Sequence, residues 1–300
     1  MSVEHWYLLP VGCTIAILAM SSGISAGNFW VPVYLLWTGF EPPVAFWMAL
    51  ATMLCGYGSG VVRNVRQGTL VRQVIVQHLP FTIPAALIGG SIAPALNVSW
   101  LVLLFGLFVL GYGTRMLVTL VKRSGEEPER PVSDLSVAPG ETSRISPRPP
   151  AERWSHRRSR SLRQRAVVRD GATALVGGIL LGLITVGLGE LLLPRLLSAR
   201  KSLSPAEIVG STVLLIFVTS LAAALARLNG SFLAALGEQR ALLLGAMLFA
   251  GPGVVLGGQL GPMVARRLNA HTLRWYMAAI LLLVGILMLV RFAALVVFTR

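Results

Sequence analysis

Residues 23–32 read GISAGNFWVP and residues 185–194 read TVGLGELLLP. Setting Pro32 on Pro194 puts Gly27 on Gly189 and Asn28 on Glu190. The same offset carries Pro43 onto Pro205 and Gly68 onto Gly230 without a gap. An insertion in the second half then shifts the register, and Pro84, Gly89, Gly90 and Pro94 fall on Pro252, Gly257, Gly258 and Pro262. One coincidence of Gly or Pro carries little weight. Repeated matches in identical spacing mark an internal duplication, and the fold has to be read as two copies of one unit.

Each copy is apolar. Of the 300 residues 55% are hydrophobic and only 13% charged, with a mean hydropathy of +0.72; a soluble domain carries roughly 25% charge. Continuous apolar runs cover about 8–40, 43–62, 76–96, 99–121, 172–198, 206–227, 241–262 and 273–298. All are long enough for the roughly 20 helical residues that cross a hydrocarbon core about 30 Å thick. Transmembrane strands would instead alternate in polarity over about 10 residues. The chain therefore reads as an all-α integral membrane protein. No basic n-region precedes the first run, so that run is expected to remain in the mature chain.

The net charge of +14 suggests nucleic acid until its position is considered. Twelve of the 26 Lys and Arg lie between Lys122 and Arg169, and most others sit in short loops between apolar runs. That is the distribution of topology determinants in a membrane protein, so a lipid bilayer and no nucleic acid is the expected partner. Cys13 and Cys55 both fall in apolar runs and suggest neither a disulfide framework nor a metal site. The repeat and the charge divide the chain into a first membrane repeat (1–121), a basic cytoplasmic linker (122–170) and a second membrane repeat (171–300). Residues 124–152 hold too few apolar groups to offset chain entropy and are expected to be disordered. Residues 154–169 read either as a basic helix on anionic lipid or as a solvated tether.

The first run of each copy is unusual. As one helix, 8–40 would be about 50 Å long at 1.5 Å per residue, and its middle, Ser21 to Asn28, is a poor helix former. The run at 172–198 has the same build around Gly187-Leu188-Gly189. Either both are kinked spans, giving parallel 4+4 repeats, or both are re-entrant hairpins, leaving three spans per half and an inverted second half. With 122–170 cytoplasmic, the hairpin topology puts Arg195, Arg200, Lys201, Arg266, Arg267 and Arg274 inside and Arg227, Arg240 and Arg300 outside. Parallel repeats reverse that count. The positive-inside rule thus favours hairpins and inverted repeats, a recurrent transporter design.

Irregular backbone persists in a bilayer only where it faces protein or a water-filled cavity. The two glycine-bearing tips therefore point to a cavity in which backbone N–H groups meet a small anion. Ser22, Gly23, Ser25, Gly27 and Asn28 form the first candidate group; Thr185, Gly187, Gly189 and Glu190 form the second. Ser211 and Thr212, early in the following span, are candidates to line the same cavity, with plain helix packing as the alternative. An ionised carboxylate inside an apolar run is expensive and usually functional. Glu190 is accordingly the candidate for proton coupling; a structural hydrogen bond to the opposing hairpin is the equal alternative. Arg115 and Arg291 read as snorkelling side chains. The four histidines are scattered. No nucleophile–base pair, phosphate loop or metal cluster is evident, so neither an enzyme nor a cofactor is expected.

These residues resemble the sulfite exporter TauE/SafE family, whose two halves each open with a glycine-rich segment followed by a proline. Gly23, Ser25, Ala26, Gly27 and Pro32 match the first copy; Thr185, Gly187, Leu188, Gly189 and Pro194 match the second. Both copies are degraded relative to the family motif. Ser211 and Thr212 match the hydroxyl positions of the next span, and Gly89-Gly90 and Gly257-Gly258 the later glycine pair. The resemblance implies a multi-pass permease or exporter of the bacterial inner membrane. It further implies a small, sulfur-containing anion such as sulfite or an organosulfonate as substrate, with proton coupling. The other class of reading is a non-transporting membrane scaffold that recruits a partner through its basic loop.

Overall fold

The computed structural model describes residues 5–22, 24–123, 156–200, 203–228, 237, 240–265 and 270–298. Ten α-helices carry the architecture among these residues: α1 (Leu8–Ser22), α2 (Gly27–Pro32), α3 (Pro42–Arg66), α4 (Arg72–Ile92), α5 (Val98–Arg123), α6 (His156–Ile184), α7 (Leu188–Ala199), α8 (Pro205–Ala226), α9 (Arg240–Ala265) and α10 (Ala270–Phe298). A π-helical turn, Val33–Trp37, extends α2. Among the described residues six helices are long and apolar enough to cross a membrane: Pro42–Arg66, Arg72–Ala95, Val98–Lys122, Pro205–Ala226, Leu242–Gly261 and Thr272–Val296. By length and composition they match the three full spans expected in each half.

Local chemistry sets the helix ends. α8 opens with a capping box in which the Ser204 hydroxyl accepts the Glu207 N–H at 3.3 Å and the Glu207 carboxylate accepts the Ser204 N–H at 2.8 Å, with Pro205 at the first helical position. α3 starts on Pro42-Pro43 and ends with Arg63 and Arg66 in its last turn, where cations complement the free carbonyls.

The runs 8–40 and 172–198 both fold back on themselves. In the first, Tyr7 stacks on Trp37 with ring centroids 5.9 Å apart, so the two ends of the run lie together. Between them the Trp30 ring packs on Gly12, where an added Cβ would stand 3.4 Å from it. In the second, a Cβ on Gly177 would lie 3.0 Å from the Leu188 backbone, and one on Gly187 would lie 2.8 Å from Leu180. Asp170 and Arg195 close its base with an ion pair of 2.8 Å, and Arg195 also donates to Thr173. Both runs are therefore hairpins, the first closed by aromatic stacking and the second by charge.

The directions of equivalent helices are compatible with inversion. α5 and its equivalent α10 are antiparallel: Gly106 meets Met288 and Leu289, whereas Gly113 meets Leu281. α3 and α8 are likewise antiparallel, with Gly58 on Phe217 and Gly60 on Val213. The hairpins cross between halves. α1 lies along α9, with Leu9 at Gly253, Cys13 at Gly257 and Ile17 at Gly261. α6 lies along α4, with Thr82 at Gly178 and Ala86 at Gly182.

The paired glycines of the repeat gain a physical reason here. Gly89 faces the Ile179 carbonyl of α6 and Gly90 faces Ala223 and Ala226 of α8; Gly257 faces the Cys13 carbonyl of α1 and Gly258 faces Ser59 of α3. In each pair one glycine seats the other half's hairpin and its neighbour seats the other half's first span. Close helix approach of this kind needs small residues.

Residues 154–169, open between a basic helix and a solvated tether, are helical from His156 onward, as the first part of α6. The expectation of disorder over 124–152 lies outside the described residues.

Candidate functional site

The two hairpin tips meet. Each tip is a helix break: α1 stops at Ser22 and α2 starts at Gly27, while α6 stops at Ile184 and α7 starts at Leu188. The second break carries the strained backbone of the fold, with Thr185 at φ 64° and Gly187 at φ 115°. A β-branched residue at positive φ is a true outlier, and such strain persists only where the surroundings impose it. Here the Thr185 carbonyl presses against Gly27, and a Cβ on Gly27 would also stand 3.0 Å from Thr185 Oγ1 and from Val186 Cγ1. Glycine at position 27 lets the two backbones touch.

Glu190 ties the tips together. Its Oε1 accepts the Ser25 N–H at 2.8 Å and the Asn28 side-chain amide at 2.6 Å, both from the first hairpin. Its Oε2 accepts the Gly187 N–H at 3.0 Å within its own hairpin, the reach-back half of a capping box. Asn28 also donates to the Ser25 carbonyl at 3.1 Å. All of these groups are buried, with Glu190 and Asn28 each 1% exposed. Among the described residues every hydrogen-bond partner of the carboxylate is a donor, so the seam between the halves is an N–H cradle holding a carboxylate. Asn28 and Glu190, matched by the repeat 162 positions apart, are bonded to each other.

One hydroxyl in the seam remains unused: Thr185 Oγ1 is buried without a hydrogen-bond partner among the described residues. Beside Ser25 the Tyr57 hydroxyl accepts the Ala26 N–H at 3.3 Å. A buried hydroxyl without a partner is uncommon and costly, and in the seam it marks capacity for a further acceptor.

Of the sequence candidates, Ser25, Gly27, Asn28, Thr185, Gly187, Gly189 and Glu190 lie at this seam. Ser22 ends α1, but its side chain, like Gly23, lies outside the described residues. Ser211 and Thr212 are buried and engaged elsewhere. Ser211 accepts the Val71 N–H at 2.9 Å, and Thr212 donates to the Ile208 carbonyl at 2.8 Å in its own helix. Arg115 and Arg291 are exposed on the helix surface. No cluster of three His, Cys, Asp or Glu able to hold a metal occurs among the described residues.

Sequence reasoning passed over Tyr57 and undervalued Arg227. Counted from the sequence as a loop charge, Arg227 is 4% exposed and sits 5.9 Å from the Phe46 ring centroid. Its guanidinium donates to the Gly182 carbonyl at 2.6 and 3.1 Å and to the Leu183 carbonyl at 2.7 Å. These carbonyls end α6, so Arg227 caps the helix whose termination makes the second tip. The only sequence signal is a cation at the end of an apolar run.

Paired, broken hairpins meeting inside six apolar spans define a multi-pass membrane protein built as membrane transporters are. The chain belongs to the sulfite exporter TauE/SafE family, whose sequence profile matches residues 8–288. Comparison with curated proteins and with solved structures returned no match.

Proposed function

We propose that the chain is a secondary transporter of a small oxyanion, such as sulfite or an organosulfonate, in the bacterial inner membrane. One observation supports this most strongly: N–H donors from both halves converge on a single buried carboxylate, at a contact between hairpins entering from opposite ends. A cradle that accepts a carboxylate offers the chemistry a substrate oxyanion needs. Because the halves touch there, parting the hairpins toward one side or the other would expose it alternately, as alternating access demands. Glu190 is the residue able to exchange a proton with the site, which gives a route to coupling with the proton gradient.

The test is flux of labelled sulfite, sulfoacetate, taurine and thiosulfate in proteoliposomes with and without an imposed proton gradient. Saturable flux that follows the gradient for at least one anion is expected, and it should survive deletion of residues 124–152. Absence of flux for all four compounds would refute the reading. Loss of function on the deletion alone would favour a scaffold acting through the basic loop.

A further inference from the structure

The transport reading leaves a contradiction: a site for an anion is filled by an anion of the chain's own. The contacts resolve it. Both Glu190 oxygens are engaged, Oε1 by two donors of the first hairpin and Oε2 by a donor of its own hairpin. A carboxylate on a ligand, or the head of a sulfonate or hydrogen sulfite, presents the same pair of acceptors at the same charge. If the donors emptied, buried N–H groups would be left without acceptors, which costs more than the bonds return when made.

We propose that Glu190 is a resident stand-in for the substrate, and that an oxyanion enters the seam only in exchange for its carboxylate. This inference rests on the transport reading for its purpose. The seam holds more donors than Glu190 uses. Thr185 is fully buried, its Oγ1 has no partner among the described residues, and the strained backbone before Gly187 holds it against Gly27. A carboxylate has two oxygens, and both are spent on N–H groups. A pyramidal sulfite or a sulfonate brings a third oxygen, and Thr185 Oγ1 is the donor for it. The seam therefore selects three-oxygen sulfur anions over carboxylates of equal charge, and Glu190 is the weaker ligand that a substrate displaces. Removal of Glu190 should leave a cradle that takes anions from solution.

The experiment uses the full chain in detergent with Glu190→Ala, followed by thermal unfolding against added methanesulfonate, acetate and acetamide. Glu190→Ala should melt below the parent and recover saturably with methanesulfonate. Acetate should need roughly ten- to a hundredfold more, the value of one hydrogen bond to a charged group, and neutral acetamide should do nothing. Adding Thr185→Val should bring methanesulfonate and acetate to similar half-saturating concentrations. No saturable recovery, equal recovery with acetamide, or a preference that survives Thr185→Val overturns the proposal.

Should Glu190→Ala not fold, difference infrared spectroscopy of the unaltered chain supplies the second readout. Sulfite should shift a buried carboxylate stretch; sulfite bound with that band unchanged overturns the exchange, and so does no sulfite bound. Sulfite flux in the parent without anion rescue in the variant sinks the exchange alone. Rescue without flux sinks the transport reading alone.

Discussion

The contact between Gly27 and Thr185 permits a calculation that a single methyl group can test. An alanine Cβ at position 27 would press on the Thr185 carbonyl and stand 3.0 Å from Thr185 Oγ1 and Val186 Cγ1, where ordinary contact begins at 3.4 Å. Two responses compete. The hairpins can keep their bonds and absorb the strain, at about 1–3 kcal/mol for an overpacked interior. Alternatively they can part by about an ångström, which takes the Asn28–Glu190 bond of 2.6 Å beyond hydrogen-bond range. Parting loses that bond and the Ser25 bond, each to a charged acceptor and worth about 1.5–3 kcal/mol, so about 3–6 kcal/mol together. Strain is the cheaper response for Gly27→Ala, and the variant should lose about 1–3 kcal/mol with its latch closed. Gly27→Val exceeds what strain can absorb and should lose about 3–6 kcal/mol with the latch open. Reversible unfolding in mixed micelles measures both. Gly111→Ala is the control, since nothing lies within 4 Å of an added Cβ there, and it should stay within about 0.5 kcal/mol of the parent or gain slightly. A Gly27→Ala variant indistinguishable from that control would show that the tips do not bear on each other.

Other expectations follow from the same contacts. Arg195→Ala unties the base of the second hairpin; with Arg195 at 20% and Asp170 at 7% side-chain exposure, a double-mutant cycle should give about 1–3 kcal/mol, between surface and buried pairs. At Arg227 the order of thermal stability should be Arg above Lys above Met, because Lys replaces the fork with a point donor and Met leaves the Gly182 and Leu183 carbonyls without one; equal stability of all three would remove its capping role. Three spans per half put Gln67 and Ser198 on one side of the membrane and Asn97 and Leu228 on the other. Cysteines introduced there, in a chain lacking Cys13 and Cys55, should label from opposite sides in those pairs, whereas parallel repeats would put Ser198 with Asn97.

Much of this arrangement was legible because a duplicated sequence carries its own alignment. Matching Pro32 to Pro194 located both breaks, and loop charge favoured hairpins over kinked spans. The same register set Asn28 on Glu190, which a two-fold relation would bring together at an axis. A hydrogen bond from Glu190 to the opposing hairpin was one of two open readings, but Asn28 as its partner was not legible, since a repeat gives equivalence and not distance. Ser211 and Thr212 carried a motif, but a hydroxyl's partner depends on rotamer and neighbour: Val71 comes from a loop 140 residues away, and periodicity does not encode it. Arg227 was obscured for a similar reason. Its acceptors are carbonyls freed by a helix break 44 and 45 residues earlier, and backbone groups leave no mark in a sequence.

The exchanged glycine pairs bear on how the protein is made. During synthesis the first half enters the bilayer with Gly89 and Gly90 exposing seats that only α6 and α8 fill, and with α1 lacking the α9 groove it occupies. That half on its own has no complete interior, and its unmatched surfaces must wait for translation to finish. The two halves, expressed as separate chains, should therefore accumulate only when made together, each acting as the other's assembly partner.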